Sequence, residues 1–543
     1  MGGTDEADEW IRDAAGRLYV LDPTSALALL RAAREVGRTG AVLDVLEARA
    51  MLDLGRLDDA ARLAGRAITD VGATDPDLLD RAAWVRALAT AGVDATKAAQ
   101  TLRAVVAGER LGSVADRALV RADLAVLEAR GGRREEAEIL LGDAVDLLLL
   151  VADTVGVVRV LFRAADARLA CRDPSTASEA LRDAASRLGE GREETLLVQL
   201  WWRQATVALQ LGDARQGLML ARRALSRVGH DTHQRGVLWG LVARAHEETG
   251  DVSSALAAWR RSAELLDGSP ESLDARAEEA AVLARLGRLD EVREHLPEWC
   301  DLAERMGAGA TIRFHALLLV VAASDRDRAS WSHHWRHVIA RSADPDQLDA
   351  RLAEHLRLAA GLSSDDERDV EHAPHPLSRA VRAHALALDV WQRIGRSQEA
   401  VRQSRALHEL GSRGAPIPAG PFDLTRSIGR GAVGDVWRAR HHDRRLVVAV
   451  KVLSHQDPRM RASFDTEVRA AASLDHPNIV RVVGTGILGP EAEAVGHGQV
   501  RVESPWCAME LAEGGTLESW CGRLPWSQVK GVVLSLLDAL AHA

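Results

Sequence analysis

The chain has 543 residues, 47% of them hydrophobic but only 3% aromatic, so it holds the apolar material for more than one core and must build those cores from Leu, Ala and Val. The formal net charge is −10, and residues 421–543 are themselves balanced, so nothing calls for nucleic acid or an anionic membrane as partner. The four cysteines, Cys171, Cys300, Cys507 and Cys521, are scattered without a CxxC pair; this speaks against a disulfide framework or a zinc site and suits a reduced, cytoplasmic chain. The first residues, MGGTDEADEW, are acidic rather than basic and apolar, so no signal peptide is expected.

Residues 40–410 repeat themselves. A glycine is followed by a charged residue, three more residues, and a small or aliphatic one: GRLDDA at Gly55, GRREEA at Gly132, GDARQG at Gly212, GDVSSA at Gly250, GRLDEV at Gly287 and GRSQEA at Gly395. Degenerate copies fall at Gly92 and Arg172, and weaker ones near Asp325 and Gly361, keeping the spacing between 34 and 40 residues. An apolar helical run stands on each side of every glycine. The pattern predicts helix–turn–helix units, with glycine in the turn and the small residue letting the second helix approach the first. One such hairpin cannot bury its apolar face alone, so the units are expected to stack into an α-solenoid over residues 1–410.

Other features of this region carry less. AVDLLLLVADTVGVVRVLF, the most lipid-like stretch, is too charged at Asp146, Asp153 and Arg159 to span a bilayer. Trp201 and Trp202 read as repeat packing, with a place facing the groove as the alternative for one of them. His333 and His337 stand at i, i+4, but no acidic third ligand follows at a sensible spacing and Arg336 lies between them; a solvated helix face is expected, and no metal site.

GSRGAPIPAGP, residues 411–421, has three Gly and three Pro in eleven positions and cannot continue a helix. It is expected to be the linker between domains. From residue 422 the period changes to β-type runs separated by turns. Gly429, Gly431 and Gly434 form G-x-G-x-x-G, but they lead into the strand-like DVWRAR rather than into a helix, which argues against a dinucleotide-binding fold. VAVK follows, ending at Lys451, then a helical stretch with Glu467, then HPNIV at His476–Val480, then CAMELAEGGTL. The chain has only three lysines, Lys97, Lys451 and Lys530, so a lysine at 451 stands out against a background of arginine. His441 and His442 fall in a predicted hairpin turn and are expected to be exposed, and GILGPEAEAVGHGQVRVESP reads as a loop insertion.

The repeats resemble the tetratricopeptide-repeat family, which implies a concave groove for a peptide or protein partner. Residues 422–543 resemble the N-lobe of bacterial-type serine/threonine protein kinases. That resemblance implies a mostly α chain ending in an α+β lobe, with a five-stranded antiparallel sheet and one helix. It implies ATP with Mg2+ as cofactor and a protein substrate. Ile428, Gly429, Gly431, Gly434 and Val436 would cover the nucleotide; Lys451 and Glu467 would form the phosphate-positioning ion pair; Ala449 would line the adenine face; Met509 would be the gatekeeper; Glu510 and Ala512 would meet adenine through their backbones.

The family's H-R-D-x-x-x-x-N loop and D-F-G are not found in the sequence. The last helix, WSQVKGVVLSLLDALAHA, resembles the one that precedes that loop, and Val529, Val532, Val533, Leu536, Leu537 and Leu540 make one apolar stripe on it. A truncated kinase, inactive as it stands, is the reading expected here; a repeat scaffold carrying a relict half-kinase is the alternative.

Overall fold

Six turns shape the repeats. Gly55, Gly132, Gly212, Gly250, Gly287 and Gly395 all take φ between +72° and +81°, the left-handed region in which glycine has no Cβ to clash. Five positions on, Ala60, Ala137, Gly217, Ala255, Val292 and Ala400 are buried. A Cβ at Gly217 would meet Leu209 Cδ2 at 2.8 Å, so the second helix of that hairpin rests directly on the first. Where the charged residue after glycine is Asp, it caps the second helix: the carboxylates of Asp213 and Asp251 accept from the backbone N–H of Gln216 and Ser254. Arg172 and Arg326 hold the left-handed turn without a glycine. Gly361 departs from expectation, since it lies inside a helix, Ala350–Ser363.

The structure, a computed structural model, describes all residues except 1, 73, 189–193, 230, 307–310, 345–347, 364–376, 431–433, 443, 445, 454–457 and 516. The chain falls into two units, Met1–Val282 and Leu283–Ala543. The division lies inside a helix of the repeats rather than at the Pro/Gly segment 411–421.

The first unit runs from α1 (Gly2–Tyr19) through α14 (Val252–Leu265) into α15 (Pro270–Arg285). Each helix packs mainly on its neighbours in sequence, as in a solenoid. Its core is Leu, Val and Ala, and buried polar pairs run through it. Trp84 Nε1 donates to Asp123 Oδ2 at 3.0 Å, Arg163 Nε donates to Asp123 Oδ1 at 2.5 Å, and Arg203 grips both oxygens of Asp166 at 3.1 Å. Trp201 is buried, while Trp202 is half-buried under the Arg203 guanidinium, 5.1 Å from its ring centre.

The second unit continues with α16 (Leu289–Met306), α17 (Thr311–Ser324), α18 (Arg328–Arg341), α19 (Ala350–Ser363), α20 (Ser378–Arg393) and α21 (Ser397–Ser412). A sheet follows: β1 (Ile417–Ala419), β2 (Phe422–Arg430), β3 (Gly434–His441), β4 (Val447–Leu453), β5 (Val482–Ile487) and β6 (Pro505–Glu510), with α22 (Pro458–Ala472) after β4 and α23 (Pro490–Gly496) after β5. The order is β1-β2-β3-β4-β6-β5 and every pair is antiparallel. The sheet has six strands rather than five, because the Pro/Gly segment supplies β1. As an edge strand it tolerates Pro418, whose missing N–H is not needed by a second neighbour.

Strand alternation gives the sheet two faces. On one, Leu424, Trp437, Ala439, Val448, Val450, Val452, Trp506 and Ala508 join a single buried cluster with Leu388, Trp391, Leu407 and Leu410 of the repeats and Ala492 and Val495 of α23. The presumed loop insertion therefore contains a helix, and that helix packs on α21 and β1. The last repeat and the sheet share one core. Two polar contacts tie them further: Arg382 Nη2 donates to Asp423 Oδ1 at 2.6 Å, and Arg382 Nη1 to the Gly420 carbonyl at 3.1 Å. His441 and His442 are half-buried rather than exposed, because His442 is drawn to Pro421, whose carbonyl oxygen lies 3.1 Å from its backbone N and 2.8 Å from its Nδ1.

The final helix, α24 (Trp526–His542), leaves most of its apolar stripe exposed, Leu540 at 71% and Leu537 at 56%. Among the described residues no helix is long and apolar enough to cross a membrane, and all four cysteines are unpaired.

Candidate functional site

The other face of the sheet carries the candidate residues, and strand register puts them there. Val436 pairs with Lys451, Lys451 with Cys507, and Ala449 with Met509. Residues directly opposite share a face, so Val436, Ala449, Lys451, Cys507 and Met509 line one patch. Ala449 is buried, Lys451 and Met509 are half-buried, and Ile428 is exposed at the open edge of β2. Glu510 and Ala512 are exposed at and just past the end of β6. Glu510 pairs with Val448 and so stands on the opposite face, leaving only its backbone for a ligand in the patch.

Lys451 Nζ lies 3.0 Å from Glu467 Oε1 of α22 and 5.7 Å from the centre of the Phe464 ring. Phe464 is packed with Leu453 and Cys507, and this small cluster seats α22 against the sheet. The ammonium is thus held by a carboxylate on one side and a ring face on another, with 24% of the side chain still exposed toward the patch. An exposed pair of this kind adds little to stability; what it fixes is the direction of the lysine. Burial pushes the Cys507 thiol up, and the neighbouring Lys451 charge partly opposes this.

The glycines behave differently from one another. Gly434 opens β3 with the Val452 carbonyl oxygen only 2.2 Å from where a Cβ would be, so the β3–β4 approach requires glycine there. Gly429 sits at a β-bulge opposite Val436 and has room for a Cβ, the nearest atom lying 3.8 Å away. Gly431 lies outside the described residues. The patch offers a cation and a face of apolar side chains, which suits a phosphorylated ligand with a flat ring. Lys451 would meet phosphate oxygens, and Ala449, Val436 and Met509 the ring.

Residues 422–543 match the protein kinase domain family. The chain is 33% identical over 133 residues to the serine/threonine-protein kinase PknH of Mycobacterium tuberculosis, covering 23% of this chain and 19% of that protein. It is 38% identical over 103 residues to the probable serine/threonine-protein kinase SCO3848 of Streptomyces coelicolor, covering 18% of this chain and 14% of that protein. The chain thus spans about a fifth or less of the curated relatives it matches. Among solved structures it is similar to a signal-transduction ATPase with a tetratricopeptide-repeat sensor from Pyrococcus horikoshii, with 12% identity, a TM-score of 0.41, and 62% of this chain and 52% of that one covered. It is also similar to a Rap protein complexed with competence and sporulation factor, with 11% identity, a TM-score of 0.39, and 75% and 98% covered.

Proposed function

We propose that residues 422–543 are the nucleotide-gripping half of a serine/threonine protein kinase, and that the repeats before them are its partner-docking or sensing part. The observation that carries this reading is the Lys451–Glu467 pair at 3.0 Å, placed on the same sheet face as Val436, Ala449 and Met509. ATP, when bound, supplies the phosphoryl group that such a kinase passes to a protein hydroxyl. Within these residues, Lys451 would orient the phosphates, Glu467 would hold Lys451 in place, and the strand pair around Gly429 and Gly434 would cover them. Residues 1–543 contain no His-Arg-Asp loop and no Asp-Phe-Gly. On this reading they supply neither the base nor the Mg2+ ligands, and the polypeptide 1–543 by itself would not transfer phosphate.

The shared core supports a role for the repeats. Because α20 and α21 cover the back of the sheet, a partner bound by the repeats would act on the lobe through packed side chains rather than through a loose tether.

Acylation by an ATP acyl phosphate tests the nucleotide reading, since the reagent marks lysines that lie beside bound phosphates. With three lysines in the chain, a peptide map reads all of them. Lys451 should be labelled and protected by excess ATP, with Lys97 and Lys530 as internal controls. Equal labelling of the three, unaffected by ATP, would remove the proposal.

A further inference from the structure

The histidines of α18 do not lie on a solvated face alone. His337 stacks on His315 of α17, with ring centres 4.4 Å apart, and both face Glu304 of α16. Glu304 Oε1 is 3.0 Å from His315 Nε2 and 3.7 Å from His337 Nδ1. The three ligand atoms all lie within 4.8 Å of one another. The acidic partner that spacing along α18 did not reveal comes from two helices earlier in the chain.

We propose that Glu304, His315 and His337 form a Zn2+ site that joins α16, α17 and α18. Two imidazoles and one carboxylate are a donor set that suits zinc, and water would fill the fourth position. With Zn–N and Zn–O bonds of about 2.0–2.1 Å, the edge of a tetrahedron is about 3.3 Å, and the two distances from Glu304 Oε1 bracket that value. The third pair, His315 with His337, is held only within 4.8 Å, so closing the site draws the two rings together by up to about 1.5 Å, a movement that falls to side chains a third exposed: Glu304 at 36% and His337 at 34%.

Arg341 already places a positive charge there. Its Nη2 is 3.3 Å from Glu304 Oε1 and its Nη1 is 3.2 Å from His337 Nδ1. The two nitrogens of one guanidinium thus lie against two of the three ligand atoms, so a positive charge is already accommodated beside them. Arg341 is a long side chain, one-third exposed, and can swing away when the metal arrives. The third ligand is also prepared. His315 is buried, and its Nδ1 is 3.2 Å from His334 Nδ1. The tautomer that ligates through Nε2 carries its proton on Nδ1, and His334 is placed to accept it, as the outer partner of a metal-bound histidine usually does. Where the neutral metal-free ring carries its proton on Nε2, that proton moves to Nδ1 by way of solvent as zinc binds, so the ring stays neutral.

The test is Zn2+ binding to the full, chelator-treated chain, measured by competition with a chromophoric zinc indicator, with Mg2+ as the control ion. One equivalent should bind. Glu304→Gln and His337→Ala should each weaken binding at least about 10-fold, the lower end of what even outer-shell losses cost, without loss of helical circular dichroism. Arg341→Ala should tighten it, because a competing cation is gone. No stoichiometric uptake by the parent chain, uptake that Glu304→Gln and His337→Ala leave unchanged, or no tightening in Arg341→Ala would each overturn the site.

Discussion

Arg382 of α20 and Asp423 of β2 form a buried ion pair, Nη2 to Oδ1 2.6 Å, with side chains 9% and 4% exposed. The same carboxylate accepts from Ser378 Oγ, and the guanidinium also reaches the Gly420 carbonyl. The last repeat is therefore fastened to the sheet by charge as well as by a shared apolar core. Removing one partner of a buried pair leaves the other uncompensated, at a cost of about 3–5 kcal/mol. Arg382→Ala should accordingly destabilise the second unit by that amount, read as a lower urea midpoint, while Arg382→Met with Asp423→Leu should recover much of the loss. Equal midpoints for parent and Arg382→Ala would show that the pair holds nothing together.

The glycine motif treats its members alike, whereas the packing around them differs. Gly434→Ala would press a Cβ against the Val452 carbonyl oxygen at 2.2 Å, a backbone atom that cannot turn aside. Overpacking of this order costs about 1–3 kcal/mol, and thermal unfolding should show it. Gly429→Ala meets nothing closer than 3.8 Å and should leave stability unchanged. The reverse order of effects would mean that the β3–β4 approach is not as described.

His355 gives the second unit a pH dependence. It is 1% exposed, and neither ring nitrogen has a hydrogen-bond partner among the described residues. Burial holds its imidazole well below the ordinary value, and the charges of Arg313, Arg351 and Arg285 push the same way. With the folded-state value depressed, the unfolded chain takes up the proton first. Stability is thus full above about pH 6.5 and is lost as pH falls below it. His355→Leu should lack this part of the acid sensitivity in urea midpoints taken at pH 7.5 and 5. A variant as acid-sensitive as the parent would refute the assignment.

What the sequence could and could not reveal follows from the range of the interactions. The repeat turns were legible because a positive φ and a buried small residue five positions later are local demands. Lys451, Ala449 and Val436 were named from the resemblance; what strand register adds is that they stand on one face of the sheet. β1 was not: three residues around Pro418, flanked by glycines, read as a linker, and only pairing with β2 makes them a strand. α23 was missed because seven residues are too few to show a helical period. The convergence of Glu304 with His315 and His337, and of Arg382 with Asp423, joins residues on different elements. Arg382 and Asp423 stand 41 residues apart, outside any window that reads a helical or strand period. Asp423 itself carried no signal in the motif, since its partner belongs to the repeats rather than to the lobe.

The central claim is that the face bearing Lys451 and Met509 holds a nucleotide. The chain has six methionines, so labelling their methyl groups with 13C gives a spectrum simple enough to assign by substitution, and Met509 reports from directly beside Ala449. ATP should shift the Met509 methyl signal in a saturable way, with a Kd of about 1 mM or weaker, equivalent to roughly −4 kcal/mol, as expected of half a site. Lys451→Ala should abolish the shift while leaving the other methyl signals in place. A Met509 signal that ATP leaves unmoved, or that moves equally in Lys451→Ala, would contradict the account.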